Sequence, residues 1–173
     1  MTRQGSIIIT GASSGLGEEM ARQFAALGYD LGLAARRVER LEELRAEITA
    51  SHPGVTVVTA ALDVTDGEAV HTVFAELDAE LGGIDRIIAN AGSGEGKALG
   101  TGGWTRNEIT ARTNFLGVLA QADAALEIFR RQGSGHLVVM SSMSALRGMR
   151  RAMTTYAASK AGVAAIAEGV RAE

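Results

Sequence analysis

The sequence of 173 residues predicts a single α/β domain whose doubly wound parallel sheet has the strand order 3-2-1-4-5. Five short apolar segments alternate with five longer segments of helical periodicity, which is the pattern of βαβ crossovers. In addition, 46% of the residues are hydrophobic, mostly Ala, Val, Ile and Leu, and such a composition suits a core of small side chains. No internal repeat, low-complexity tract or linker divides the chain.

The first βαβ unit is the clearest part of the pattern. Residues 6–10 include three consecutive isoleucines, which is typical of a strand buried on both faces. A glycine-rich turn follows, and then a helical pattern over residues 16–27 that ends at Gly28. Residues 31–35 predict the second strand, which a pair of arginines ends.

Hydrophobic periodicity and turn residues assign the remaining elements. Leu41, Leu44 and Ile48 recur at helical spacing, and the segment 51–54, with the only proline of the chain, ends their helix. A glycine-rich loop over residues 93–103 precedes a long helical stretch. The predicted elements are helix 38–50, strand 55–60, helix 65–81, strand 84–89, helix 104–132, strand 136–140 and a last helix from about residue 155 to the end.

Composition excludes several classes of function and site. The net charge of −3 gives no reason to expect a nucleic acid or an anionic membrane surface as partner. Cysteine is absent, which excludes disulfides and cysteine-ligated metals, and the three histidines are scattered, so no metal site is expected. The start, residues 1–6, lacks the pattern of a signal peptide, and no apolar run is long enough to span a membrane. We therefore expect a cytoplasmic protein.

The turn after the first strand predicts a dinucleotide site on a Rossmann-type sheet. Its glycines follow the spacing G-x-x-x-G-x-G, which permits a tight turn and a close approach of backbone to a pyrophosphate. The following helix would present free amide groups to the phosphates. An ordinary glycine-rich turn is the alternative, but the position between a buried strand and a helix favours the nucleotide. The candidate contacts are Gly11, Ser13, Ser14, Gly15, Leu16 and Gly17.

The end of the second strand favours NADP(H) over NAD(H). An NAD site usually has an acidic residue there, whereas this chain has Arg36 and Arg37. The nearest preceding acid, Asp30, lies at the other end of the strand. Two guanidinium groups suit the geometry of a 2′-phosphate. The alternative is that one or both arginines simply face solvent at the strand end.

Six motifs follow one another along the chain: the Thr10-to-Gly17 turn, Asp63-Val64, Asn90-Ala91-Gly92, Asn114, Ser141-Ser142 and Tyr156-x-x-x-Lys160. Together they resemble the motifs of the short-chain dehydrogenase/reductase family, and the resemblance covers essentially the whole chain. It implies that Asp63 and Val64 contact the adenine and that the Asn90-Ala91-Gly92 turn lies against the cofactor. Structural alternatives exist, since Asp63 could cap a helix and Asn114 could serve only a backbone kink.

The same resemblance implies a catalytic set of Asn114, Ser142, Tyr156 and Lys160. Tyr156 and Lys160 are four residues apart on a predicted helix and share a face. An ammonium group beside a phenol favours the phenolate, so the pair can exchange a proton with an alcohol or a carbonyl oxygen. Ser142 would hold the substrate oxygen, Lys160 would also bind the nicotinamide ribose, and Asn114 would position a water.

Three serines close together in the sequence are candidates for the catalytic serine. Ser141 and Ser144 compete with Ser142, and the stretch from Ser142 to Tyr156 is slightly longer than the family usually has. The alternative to a catalytic pair is that Tyr156 only packs against its neighbours and that Lys160 is a solvated side chain.

The resemblance also bears on the limits of the chain and on its partners. Family members usually continue with two more strands and a substrate lid, so residues 1–173 are expected to form a C-terminally incomplete dinucleotide-binding and catalytic domain. We expect an open sheet edge at the fifth strand, a small carbonyl or alcohol substrate, and a homo-oligomer, either dimer or tetramer. A non-catalytic NADP-binding module, an inactive fragment and an assembly partner of complete chains remain as alternatives.

Overall fold

A computed structural model describes residues 4–150 and 152–173, and this part of the chain forms one parallel sheet flanked by helices. The strand order is β3-β2-β1-β4-β5, so the predicted fold class and topology are confirmed. The prediction that residues 1–6 carry no signal peptide falls partly outside the described residues. The strands are β1 (Ser6–Thr10), β2 (Asp30–Ala35), β3 (Val57–Ala61), β4 (Arg86–Ala89) and β5 (His136–Val139).

The helices follow the strands in the predicted alternation. The long stretch before β5 is interrupted by a π-helical turn at Arg112–Leu116, and a 3₁₀ turn at Met143–Leu146 follows β5. No helix within the described ranges is long and apolar enough to cross a membrane. The α-helices are α1 (Gly15–Ala26), α2 (Val38–Ser51), α3 (Gly67–Leu81), α4 (Trp104–Ala111), α5 (Gly117–Gln132) and α6 (Thr154–Ala172).

Two strands begin two residues later than the hydrophobic pattern predicted, because side chains take the backbone groups at their starts. The strand predicted at 55–60 begins at Val57, since the backbone amide of Thr56 donates to the Asp30 carboxylate at 2.7 Å. The strand predicted at 84–89 begins at Arg86, since the Asp85 carboxylate accepts a backbone amide of β1 at 2.8 Å. Side-chain bonds to the backbone therefore set these boundaries.

The start of α3 is likewise later than predicted. The helix was expected from residue 65 but begins at Gly67, with Asp66 as the capping residue. The Asp66 side chain accepts the backbone amide of Ala69 at 3.0 Å, which satisfies one of the free amides at the helix start. Asp63 is therefore not the cap of α3, and the structural alternative considered for it does not apply.

The core lies on both faces of the sheet, as the run of isoleucines in β1 predicted. Ile8 packs among the side chains of α3 and α5, while Ile7 and Ile9 point to the other face and pack against α1 and α2. All three isoleucines are fully buried. Each such side chain stabilises the fold by about 1.5–3 kcal/mol. The two layers hold the carboxyl ends of β1 to β5 along one edge, where the turns that carry the predicted motifs meet.

Candidate active site

The glycine turn between β1 and α1 has a backbone that side chains would not permit. Gly11 and Gly15 have positive φ angles of 66° and 59°. A Cβ atom on Gly17 would lie 2.5 Å from the Gly11 carbonyl oxygen and 2.7 Å from Nδ2 of Asn90. Glycine is thus required at these positions for conformation or for close packing. The turn leaves the amino end of α1, which begins at Gly15, facing the carboxyl edge of the sheet.

A buried hydrogen-bond group joins this turn to the turn after β4. The Thr10 hydroxyl accepts the backbone amides of Asn90 and Ala91, each at 3.1 Å, and donates to Oε1 of Gln121 at 2.7 Å. The Asn90 side chain donates back to the Thr10 carbonyl at 2.9 Å, and the Gln121 amide donates to the Gly117 carbonyl at 2.8 Å. The relative position of the two turns is therefore fixed from inside the protein.

A cleft of about 230 Å³ lies along this edge, and it brings together most of the residues predicted to bind a cofactor. Gly15 and Gly17 shape the turn without lining the cleft, and Leu16 faces a second pocket. Thr113 also lines the cleft, although no sequence motif singled it out. The predicted residues in the lining are Gly11, Ser13, Ser14, Arg36, Arg37, Asp63, Val64, Asn90, Ala91 and Gly92.

Arg37 lies against the glycine turn. Its guanidinium group donates to the Ser14 hydroxyl at 2.7 Å and to the Ser13 hydroxyl at 3.1 Å. A further bond of 3.3 Å reaches the Ser13 carbonyl. The positive charge of Arg37 is thus held beside the amino end of α1. An anion bound there would contact both the guanidinium group and the free amides of the helix.

Asp63 lies across the cleft near the second arginine. Its carboxylate accepts the backbone amide of Thr65 at 3.0 Å and the Thr65 hydroxyl at 2.9 Å. These two bonds, with a smaller contribution from the charge of Arg36, hold the pKa of Asp63 below its usual range. Asp63 is therefore an ionised acceptor at neutral pH.

Lys160 and Tyr156 share one face of α6, as their spacing predicted. Lys160 is only 5% exposed, and its Nζ donates to the Met140 carbonyl at 2.5 Å. The same Nζ lies 5.9 Å from the centroid of the Tyr156 ring. Burial lowers the pKa of Lys160 below the ordinary lysine value.

Asn114 lies within the π-helical turn and is fully buried. Its Oδ1 accepts the Ser93 amide at 2.7 Å, while Nδ2 donates to the Ser93 carbonyl at 2.8 Å and to the Ser159 hydroxyl at 3.2 Å. A Cβ atom on Gly92 would lie 3.3 Å from Asn114 Oδ1 and 3.8 Å from Lys160 Nζ. Asn114 therefore holds the chain after β4 close to Lys160, and π-helical turns often occur at functional sites.

A second pocket, of about 620 Å³, contains Tyr156, Lys160 and all three candidate serines. The Ser141 hydroxyl donates to the Lys160 carbonyl at 3.1 Å, so it is directed at the backbone of α6. The hydroxyls of Ser142 and Ser144 lie 2.7 Å apart, and Ser142 also accepts the Ser144 amide at 3.2 Å. Ser142 is half-buried and Ser144 is buried. The choice of Ser142 stays a prediction.

The cleft and the pocket are neighbours, because Asn90 and Gly92 line both. Two arginines and the serine hydroxyls of the glycine turn thus lie on one side of Asn90 and Gly92. A phenol, a buried ammonium group and further serine hydroxyls lie on the other side. Such an arrangement can hold an extended anionic molecule and exchange a proton with a group at its far end.

Comparison with known proteins agrees with this geometry. The model of the short chain dehydrogenase family matches residues 6–173. An uncharacterized oxidoreductase of Mycobacterium tuberculosis is 52% identical over 173 residues, covering 100% of this chain and 68% of that protein.

Two solved structures show the same fold. An alcohol dehydrogenase from the archaeon Thermococcus sibiricus, complexed with 5-hydroxy-NADP, has a TM-score of 0.89 and 33% identity, over 95% of this chain and 69% of its own. The NADPH-dependent 3-quinuclidinone reductase from Rhodotorula rubra has a TM-score of 0.88 and 28% identity, over 98% of this chain and 65% of its own. The chain thus spans about two thirds of the length of these proteins.

Proposed function

Because the chain belongs to the short-chain dehydrogenase family, we propose that it binds NADP(H) and transfers a hydride between this cofactor and a carbonyl or alcohol substrate. The observation that carries the proposal is that the cleft and the pocket of Tyr156 are neighbours, with Asn90 and Gly92 in the lining of both. A molecule that extends through the cleft would reach Tyr156 and Lys160. The expected cytoplasmic location and homo-oligomeric state stay predictions.

The residues of the cleft fit a phosphorylated dinucleotide. The amino end of α1 and the hydroxyls of Ser13 and Ser14 offer donors for the pyrophosphate. Arg36 and Arg37 suit a 2′-phosphate, and Asp63 and Val64 would lie beside the adenine. That two similar structures are described as containing 5-hydroxy-NADP and as NADPH-dependent supports the preference for NADP(H).

When bound, the cofactor supplies or accepts the hydride at the carbon of the substrate. In the direction of reduction, the Tyr156 hydroxyl gives its proton to the carbonyl oxygen as that oxygen gains the electron pair of its double bond. Solvent then reprotonates the phenolate, and oxidation of an alcohol reverses these steps. Lys160 favours the phenolate through its charge, and Ser142 donates a hydrogen bond to the substrate oxygen.

Asn114 acts by position. Its bonds to both backbone groups of Ser93 and to Ser159 hold the segment after β4 against α6. In this position Asn114 would hold the water that connects Lys160 to solvent. The same bonds keep Gly92 beside Asn114 and Lys160, where an added Cβ would lie 3.3 Å from Asn114 Oδ1 and 3.8 Å from Lys160 Nζ.

Cofactor titration and turnover with Tyr156→Phe test this proposal. Tyr156→Phe should retain the NADPH affinity, followed by cofactor fluorescence, and lose turnover of a carbonyl series, followed by NADPH absorbance. Tyr29→Phe is the matched control, because Tyr29 lies against Phe24 in the turn before β2, away from the pocket. Full activity of Tyr156→Phe would refute the assigned proton donor. NADPH binding by the unaltered chain without any turnover would favour the alternative of a non-catalytic module.

A further inference from the structure

The chain that follows the Asn90 turn has no regular structure of its own. Residues 91–98 form no helix, strand or turn, and three of the five residues 92–96 are glycines. Glycine has many conformations to lose on folding, so such a segment needs contacts from neighbouring elements to hold one shape. Those contacts also set the position of Gly92, whose added Cβ would lie 3.8 Å from Lys160 Nζ.

Two asparagines of the helical stretch before β5 make these contacts. Asn114, in the π-helical turn, bonds to both backbone groups of Ser93. Asn107, on α4, accepts the backbone amide of Lys97 at 2.8 Å through its Oδ1. The Asn107 residue is only 5% exposed, although its side chain is polar. A buried acceptor of this kind fixes the backbone group that donates to it, because the alternative is a buried amide without a partner.

The segment 93–97 lies along the helical stretch and runs in the opposite direction, since its start bonds to Asn114 and its end bonds to Asn107. Seven residues separate the two asparagines, which corresponds to about 10 Å along a helix axis. The four residues from Ser93 to Lys97 span about 13 Å when fully extended. The two lengths match well enough for both bonds to hold the segment at once.

The segment is packed most closely at Gly96, next to the bond that Asn107 accepts. A Cβ atom on Gly96 would lie 3.2 Å from Asn107 Oδ1 and 3.1 Å from the carbonyl oxygen of Ala152. Ala152 belongs to the chain that leads into α6, the helix that carries Tyr156 and Lys160. Asn107 therefore holds the segment between α4 and the start of α6.

We propose that Asn107 is a positioning residue for the proposed reaction: by holding the Lys97 amide, it keeps Ser93 bonded to Asn114 and Gly92 beside Lys160. This inference rests on the proposed function, in which Asn114 and Lys160 take part in proton transfer. Without the Asn107 bond, Asn114 alone would hold the segment, and water would compete for its bonds to Ser93. The sequence did not indicate Asn107, because it belongs to no motif and its partner is a backbone group.

Nuclear magnetic resonance of isotope-labelled lysine tests this inference directly, because the chain has only two lysines, Lys97 and Lys160. In Asn107→Leu the backbone amide of Lys97 should exchange with solvent roughly five- to tenfold faster, since it loses its acceptor. The backbone amide of Lys160, inside α6, should keep its rate. The Lys160 side chain should titrate closer to the ordinary lysine value, because a loosened segment admits water to a group whose pKa is lowered by burial.

Turnover of 2,3-butanedione with NADPH gives a second readout. Asn107→Leu should lower kcat by roughly ten- to a hundredfold, which is the effect of misplacing a reacting group by about 1 Å. The NADPH affinity should stay nearly unchanged, because Asn107 does not line the cleft. Asn107→Asp keeps an oxygen acceptor on a side chain of the same shape, so it should recover most of kcat.

Thr110→Val is the matched control for Asn107→Leu. Thr110 is fully buried one turn further along α4, and its hydroxyl has no hydrogen-bond partner among the described residues. The substitution keeps the shape of the side chain, so kcat and both lysine signals should stay as they are. If circular dichroism shows that Asn107→Leu does not fold, Asn107→Ala removes the same acceptor and takes its place.

A merely structural role of Asn107 would give a different result. The Lys97 amide would exchange faster, but the Lys160 titration and kcat would not change, and this outcome would overturn the inference. A kcat for Asn107→Asp as low as that of Asn107→Leu would also count against it. Failure of the proposed function would instead appear in the unaltered chain, as a lack of NADPH binding or of turnover. In that case the Lys160 titration alone decides whether Asn107 positions the segment beside Lys160.

Discussion

The buried hydroxyl of Thr10 donates a hydrogen bond of 2.7 Å to the side chain of Gln121, which is 111 residues further along the chain. Both side chains are fully buried, so α5 supports the junction between the turn after β1 and the turn after β4. The other acceptor near the Thr10 hydroxyl, the Ile88 carbonyl, is at 3.4 Å. Gln121 is thus the principal acceptor for the proton of this hydroxyl.

We predict that Gln121→Met lowers the free energy of unfolding by about 1–3 kcal/mol, because it leaves a buried hydroxyl without its acceptor. Methionine has nearly the shape of glutamine, so little cavity is created. Urea unfolding followed by circular dichroism measures the change. Gln23→Met is the control, since Gln23 is exposed on α1 and bonds only to Glu19 at 2.9 Å. Its effect should stay within about 0.5 kcal/mol, and equal effects would contradict the prediction.

Gln121 also shows what the sequence could not reveal. The glycine turn and its neighbour after β4 were predictable because local backbone geometry restricts the residue types there. Gln121 belongs to no motif, and its partner is distant in sequence, so only the folded chain brings the two together. Thr113 lines the cleft but also belongs to no motif, so the sequence did not predict its position there.

Alternation of apolar and amphipathic segments was sufficient to predict the sheet order, but not the strand starts. Whether a strand begins at residue 55 or 57 depends on the bond from the Thr56 amide to Asp30, which no periodicity encodes. The apolar part of the lining of the Tyr156 pocket was equally hidden. Met143, Met149 and Met153 have no helical or strand spacing, and their loop had to be folded before they faced one pocket.

Gly17→Ala should disrupt the cofactor turn. The added Cβ would lie 2.5 Å from the Gly11 carbonyl and 2.7 Å from Asn90, so both turns must move apart. We expect NADPH affinity to fall by at least roughly tenfold, measured by fluorescence titration, since misplaced amides lose charge-assisted bonds to the phosphates. Gly148→Ala is the control, because nothing lies within 4 Å of its added Cβ. Unchanged affinity in Gly17→Ala would show that the turn is not where the phosphates bind.

Arg36→Ala should weaken NADPH binding by roughly ten- to a hundredfold, because a charge-assisted bond contributes about 1.5–3 kcal/mol. NADH lacks the 2′-phosphate, so its affinity should change little. Arg37→Ala should reduce the affinity for both cofactors, since Arg37 also bonds to Ser13 and Ser14 in the glycine turn. The control is Arg40→Ala, whose exposed guanidinium pairs with Glu43 at 3.4 Å on α2. Equal losses of NADPH and NADH in Arg36→Ala would refute the assignment of the 2′-phosphate to this residue.

Lys160 should make stability depend on pH in the alkaline range. Burial lowers the pKa of Lys160 below the ordinary value of 10.5, so the folded chain releases this proton at a lower pH than the unfolded chain does. Between the folded pKa and 10.5 the unfolded state binds more protons, and the contribution of Lys160 to stability therefore rises with pH. Below the folded pKa, the cost of burying the ammonium group is fully present.

Lys160→Met removes this titrating group, so the unfolding free energy of the unaltered chain minus that of the variant should increase as pH rises from neutral towards 10.5. The slope with pH separates this effect from the constant cost of leaving the Met140 carbonyl without its donor. Urea unfolding at a series of pH values measures the difference. The other lysine of the chain, Lys97, is exposed in the loop before α4, and Lys97→Met is the control variant. A difference for Lys160→Met that does not vary with pH would mean that the ammonium group remains hydrated in the folded protein, and that Lys160 is not the buried charge beside Tyr156 that the proposed proton transfer needs.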